Sequence, residues 1–173
     1  TSARKPRFYM ASVSEEENIN FTPPPGVEAY TDQTTNVTEA QKAMALVYDS
    51  VYYRDTCMTV KELLSIDRYT GYRQLKMYVH GPVEAVQDSI KFFFRLGSDN
   101  KSFYEYQTYL DSGWAEGNYI NIDFNAMTAF KDSLIRFRDT TRRTPIDSTS
   151  GHYRIKGSPN LNQIKYLACG LIN

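Results

Sequence analysis

The chain has 173 residues, and its 20 Lys plus Arg balance 20 Asp plus Glu, so the formal net charge is zero. That length suits one domain better than two of marginal core, and 41% apolar residues are too many for a disordered chain. Charge balance speaks against a nucleic-acid partner, which needs a basic excess along some stretch. The one basic run, Arg136, Arg138, Arg142 and Arg143, is broken by Asp139 and reads as a solvated helix end.

Residues 1–40 read as an extended, proline-bearing arm, with Glu15-Glu16-Glu17 and Pro23-Pro24-Pro25-Gly26 opposing regular structure. Residues 41–173 read as one β-sandwich domain. Its first strand carries Met44, Leu46 and Tyr48 on one face and Ala45 and Val47 on the other, with Val51-Tyr52-Tyr53 as an extension. Val60, Leu63 and Leu64 suggest a short helical turn over 60–68. Leu75, Met77 and Val79 alternate with Lys76, Tyr78 and His80 until Gly81-Pro82 ends the strand.

Residues 89–96 give the strongest strand, with Ile90, Phe92, Phe94 and Leu96 on one face and Lys91, Phe93 and Arg95 on the other. A turn of more than two residues, Gly97 to Asn100, returns the chain through 103–110 as a hairpin. Tyr104, Tyr106, Thr108 and Leu110 share one face there, Phe103, Glu105, Gln107 and Tyr109 the other.

Trp114 follows in a stretch bounded by Gly113 and Gly117, before a strand over 119–124 with Ile120, Ile122 and Phe124 inward. Asn125 is a candidate N-cap for one inserted helix whose Met127, Phe130, Leu134 and Phe137 form an apolar stripe. Residues 139–151 read as polar loop, 153–156 as a short strand and 163–171 as the last one. Short antiparallel strands of this kind predict an all-β sandwich.

No phosphate loop, nucleophile elbow or dinucleotide fingerprint occurs. His80 and His152 lack a second ligand at helical or hairpin spacing, so neither metal nor cofactor is expected. Glu105 and Asp123 lie on candidate strands and could in principle form an acid–base pair, but nothing in their spacing singles them out from a solvated face. The expectation is therefore a non-enzymatic chain. Cys57 and Cys169 are either two buried thiols or one bridge.

Fourteen tyrosines are the unusual feature of the composition. Outer sheet rows account for many of them. A recognition patch is the alternative, with Phe93, Tyr104, Tyr106 and Trp114 as candidate partner contacts.

Several segments in order carry a family likeness. They are Pro23 to Val27, Tyr72 to His80, Phe94 to Asp99 with Phe103 to Tyr106, Trp114, and Arg154 to Leu161 leading to Ile164 and to Gly170-Leu171-Ile172-Asn173. Together they resemble a soluble region of the SprA (Sov) family, the giant outer-membrane subunit of the type IX secretion system linked to gliding motility in Bacteroidetes.

The resemblance implies a jelly-roll, galactose-binding-like sandwich inserted in a very large β-barrel translocon. It also implies an outer-membrane location, with the cell-surface side favoured, and translocon subunits and secreted cargo as partners. It transfers no catalytic residue.

This chain departs from the family at Thr38-Glu39-Ala40-Gln41, where an Asn-Glu-Gln stretch is usual, and the family continues past Asn173 into a further strand. Either the chain stops short of that strand or the module is divergent; in the first case an open sheet edge beside residues 163–171 is expected. The alternative function is a carbohydrate-binding jelly roll of a cell-surface protein.

Overall fold

A computed structural model describes residues 8–48, 55–83, 89–136 and 146–173. The chain divides into two compact units, Thr1–Tyr53 and Arg54–Asn173. Most of the regular structure is antiparallel sheet, joined by one α-helix.

The first unit is built on a ribbon of β1 (Phe8–Ser14) and β2 (Lys42–Tyr48), with Phe8 opposite Tyr48 and Ser14 opposite Lys42. The expected irregular arm thus contains a strand. Phe8-Tyr9-Met10-Ala11-Ser12-Val13 has little alternation by itself, and its pairing with β2, the strand read from alternation, supplies the missing specification. The intervening excursion turns back on itself. Asp32 Oδ1 accepts the backbone N–H groups of Thr34 (2.7 Å) and Thr35 (3.2 Å), and Thr31 bridges to Thr38. These bonds hold the Asp32 carboxyl below its ordinary pKa.

The second unit holds a six-stranded antiparallel sheet in the order β3-β10-β5-β6-β9-β8. The strands are β3 (Thr56–Asp67), β5 (Lys91–Asp99), β6 (Ser102–Tyr109), β8 (Asp147–Ser150), β9 (Tyr153–Lys156) and β10 (Ile164–Ile172). A ribbon of β4 (Gln74–Tyr78) and β7 (Tyr119–Asp123) and the helix α1 (Phe124–Arg136) complete it.

Opposed residues of an antiparallel ladder share a face. Register therefore puts Phe92, Leu96, Tyr104, Ile155, Cys169 and Leu171 on one face of the large sheet, all buried. Ile120 and Ile122 of β7 and Met127 of α1 are also fully buried. At about 25 cal/mol per Å² of apolar surface, each such Ile, Leu or Phe contributes roughly 2 kcal/mol.

Four local expectations are corrected. Residues 60–68 belong mostly to β3 and not to a helical turn, because Val60 and Lys61 pair with Ala168 and Leu167. The β5–β6 turn is tight: Asp99 stands opposite Ser102 with only Asn100 and Lys101 between, and Asp99 Oδ1 accepts from both Lys101 N (2.7 Å) and Ser102 N (2.9 Å).

The N-cap of α1 is Asp123, whose Oδ1 accepts from Asn125 N (2.8 Å) and Ala126 N (3.2 Å); Asn125 lies inside the helix. Finally, Asp147–Ser150 is a strand within the expected loop. Phe137, Arg138, Arg142, Arg143 and Val51-Tyr52-Tyr53 lie outside the described residues.

The expected open edge beside 163–171 is also overturned. β10 is flanked by β3 on one side and β5 on the other, so the strand nearest the end of this chain lies inside the sheet.

Candidate functional site

The second face of the large sheet carries the ion pairs found among the described residues. Arg95 on β5, Glu105 on β6 and Arg154 on β9 stand in one cross-strand row. Glu105 is fully buried. Its Oε2 takes a hydrogen bond from Arg95 Nε, and its Oε1 accepts from Gln107 Nε2 at 2.5 Å, with Arg154 Nη1 at 3.5 Å. Arg154 in turn donates from Nε to Asp147 Oδ1 (2.9 Å) and from Nη2 to Oδ2 (3.0 Å). That paired geometry holds the Asp147 carboxyl below its ordinary pKa and the Arg154 guanidinium above its own, the shared hydrogen bond being the main cause of both.

Rings close over the cations. The Arg95 guanidinium carbon lies 4.4 Å from the centroid of Phe93 and 4.7 Å from that of Phe103, and Lys156 Nζ lies 5.9 Å from Phe103. A stack of this kind lets Glu105 be buried with its charge, because cation–π attraction at Arg95 and paired hydrogen bonds together offset the lost hydration, while Arg154 and Asp147 at the end of the row stay partly exposed. It consumes both oxygens of Glu105 in bonds to the protein itself.

The candidate acid–base pair is not assembled. Glu105 lies on the Arg95 face. The Asp123 backbone N–H donates to Tyr153 Oη at 3.1 Å, and Tyr153 belongs to the opposite face, while the Asp123 carboxylate caps α1.

The four candidate contact aromatics separate as well. Phe93 is 0% exposed and Tyr104 is 1% exposed, which corrects their assignment as partner contacts. Phe93 underlies Arg95. Tyr104 is a core residue whose hydroxyl donates to Pro159 O at 3.1 Å, and burial, with Asp132 adding, pushes its pKa up to about 12. Tyr106 is half-buried, stacked on His152 with centroids 5.3 Å apart and edge-on to Tyr153. Trp114 is half-buried and meets His80 edge-on at 4.9 Å.

Exposed tyrosines are scattered over several elements, and two of them lie together on the β4–β7 ribbon. Tyr78 and Tyr119 oppose each other on its outer face, 49% and 40% exposed, with centroids 4.9 Å apart and planes tilted by 48°. Gln74, Lys76 and Asn121 continue the same outer row. His80 and Trp114 stand just beyond it, where Gly81 and Gly113 exchange two backbone hydrogen bonds (2.9 and 3.0 Å). The outward parity of Tyr78 was readable from its strand. Its partner across the ribbon was not, since nothing local states that 74–78 pairs with 119–123.

A buried asparagine sets that end of the ribbon. Asn118 is 1% exposed, donates from Nδ2 to Asp111 O and Gly113 O (2.8 Å each), and accepts from Asp111 N (2.9 Å). Gly81 runs so close to Asp111 O that a side-chain carbon there would collide with it. The loop holding Trp114 is thereby fixed.

The two cysteines are free thiols on one face of neighbouring strands, two residues out of register: Cys57 faces Leu171 and Cys169 faces Thr59. Burial raises both thiol pKa values, with Asp55 adding at Cys57, which makes them poor nucleophiles. An open depression of about 430 Å³ is lined by Ile66, Arg68, Asn162 and Gln163. Among the described residues no helix is long and apolar enough to cross a membrane.

Comparison with protein-family models and with curated proteins finds no match for this chain.

Proposed function

We propose that this chain is a non-enzymatic structural and interaction module of an outer-membrane protein-secretion translocon of the SprA (Sov) kind, serving type IX secretion and gliding. Translocon subunits and secreted cargo would be its partners, with the cell-surface side favoured. The sequence likeness supplies the family.

The observation that carries the non-enzymatic part is the fate of Glu105 and Asp123. Each is bound to a structural partner, Glu105 to Arg95 and Gln107 and Asp123 to the first turn of α1. Of the segments behind the likeness, Pro23 to Val27 lies in the first unit and the others lie in the second, on β4, the β5–β6 hairpin, the loop before β7, β9 with its following turn, and β10. A jelly-roll, galactose-binding-like topology is part of the same reading. It is supported by a large antiparallel sheet whose neighbours β3, β10 and β5 are far apart in sequence.

The test is excision of residues 54–173 from the parent open reading frame, with the barrel's surface level followed by antibody. Loss of type IX cargo from the medium with the barrel still inserted is the expected result. Normal secretion and gliding would refute it.

A carbohydrate-binding module is the second reading, favoured by the exposed Tyr78–Tyr119 pair beside amide and ammonium groups. It ranks second because rings tilted by 48° offer no flat platform for a sugar face. Millimolar binding on a glycan array, abolished by Tyr119→Ala, would put it first.

A further inference from the structure

The two edges of the six-stranded sheet differ. β8 is four residues long and polar, and its Asp147 is locked to Arg154. β3 is twelve residues long, has β10 on one side and, among the described residues, no strand on the other. Its outer row exposes Met58 (37%) and Val60 (44%). A long edge with apolar side chains is a template for another strand.

We propose that two copies of this chain pair antiparallel through Thr56–Glu62 of β3, about a two-fold axis at Thr59, and so join their two sheets into one. The argument is self-complementarity. A two-fold axis relating antiparallel edge strands runs along the sheet normal, so each residue meets one of the same face.

Few registers remain. An axis at Lys61 or Glu62 sets like charges directly opposite each other, which destabilises. An axis at Val60 sets Met58 against Glu62 of the other copy. An axis at Thr59 sets Met58 against Val60 twice, Thr56 against Glu62 twice and Cys57 against Lys61 twice, so the two exposed apolar residues match and no like charges are opposed.

This axis also uses the regular stretch of β3 from end to end. Beyond Glu62 the ladder to β10 breaks, since Glu62 faces Tyr166 and Asp67 faces Ile164, leaving Leu63 to Ile66 opposite Lys165 alone. The bulge ends the pairable segment on its C-terminal side. The short polar edge at β8 favours a closed dimer over a filament. None of this depends on the secretion reading.

The test is sedimentation velocity of the chain, paired with an interface cross-link. A monomer–dimer equilibrium with Kd of about 1–100 µM is expected. Val60→Lys weakens it at least about tenfold, with the far-UV circular dichroism unchanged because the position is exposed.

Thr59→Cys forms an intermolecular 59–59 disulfide under mild oxidation, identified by peptide mapping that tells it from Cys57 and Cys169. A chain still monomeric at about 300 µM overturns the proposal. So does a dimer that ignores Val60→Lys and leaves the introduced thiol at 59 reduced, and so does a monomer whose β3 edge is filled instead by an unrelated extended peptide.

Discussion

Glu105 is the residue on which the charged sheet face turns. Removing a buried carboxylate leaves Arg95 held between two rings without its counter-ion, which is the costly way to break a buried pair. Glu105→Ala is expected to destabilise the second unit by about 3 kcal/mol, read from urea unfolding. Glu105→Gln keeps the shape and one acceptor and costs less.

Tyr104 gives a pH-dependent counterpart. Its folded pKa of about 12 exceeds the ordinary phenol value of 10.0, so folding favours the protonated form. Its contribution is fully present below pH 10.0 and is lost as pH rises through about 12. The alkaline slope in a series of unfolding midpoints should flatten in Tyr104→Phe, which also loses the bond to Pro159 O, worth about 1 kcal/mol. Alternation put Phe93 and Tyr104 on their correct faces. It did not tell that both faces of β5 and β6 are covered, because burial of the Phe93 side comes from Arg95, a residue whose sequence signature is that of solvent.

At the level of elements, the strands that alternate cleanly were legible. Lys91–Asp99, Ser102–Tyr109, Tyr119–Asp123, Tyr153–Lys156 and Ile164–Ile172 all lie where period-two patterning placed them, within a few residues. The failures are strands specified by a distant partner. Val60, Leu63 and Leu64 fit a helical turn as well as a strand, and only the ladder to β10 decides. Asp147-Ser148-Thr149-Ser150 has no apolar residue, and β9 recruits it through backbone bonds and the Arg154 clamp.

Two elements invite perturbation. Gly97 is buried opposite Phe103, and a side-chain carbon there would collide with Ser102 O. Gly97→Ala is expected to cost about 1–3 kcal/mol by forcing the hairpin apart. Asn118→Ala removes the side-chain partners of both the Asp111 carbonyl and the Asp111 N–H, while Gly113 O keeps its bond from Gly81, with an expected loss of about 2–3 kcal/mol. Faster amide exchange around 111–118 would show the loosening locally.

For the molecule as a whole, the division after Tyr53 separates a two-stranded ribbon from a unit with its own core. A two-stranded ribbon alone is marginal in water, whereas several strands with a helix sustain a cooperative fold. Residues 54–173 expressed by themselves are expected to keep a cooperative thermal transition, checked by circular dichroism. Residues 1–53 alone are expected to show none. Composition and alternation reached the mainly β character with its single helix. They did not reach the order of strands, since the four pairings β3–β10, β5–β10, β4–β7 and β6–β9 join strands that are not consecutive and are decided by three-dimensional closure.

The interior position of β10 also governs when the sheet can exist. During synthesis β3 and β5 emerge first with a vacancy between them that only Ile164–Ile172 can fill. Until those residues leave the ribosome, two strand edges stand open, a state slow to resolve and prone to stray association. A chain ending at Gln163 and freed from the ribosome should therefore recruit chaperones, whereas one extended through Ile172 should not.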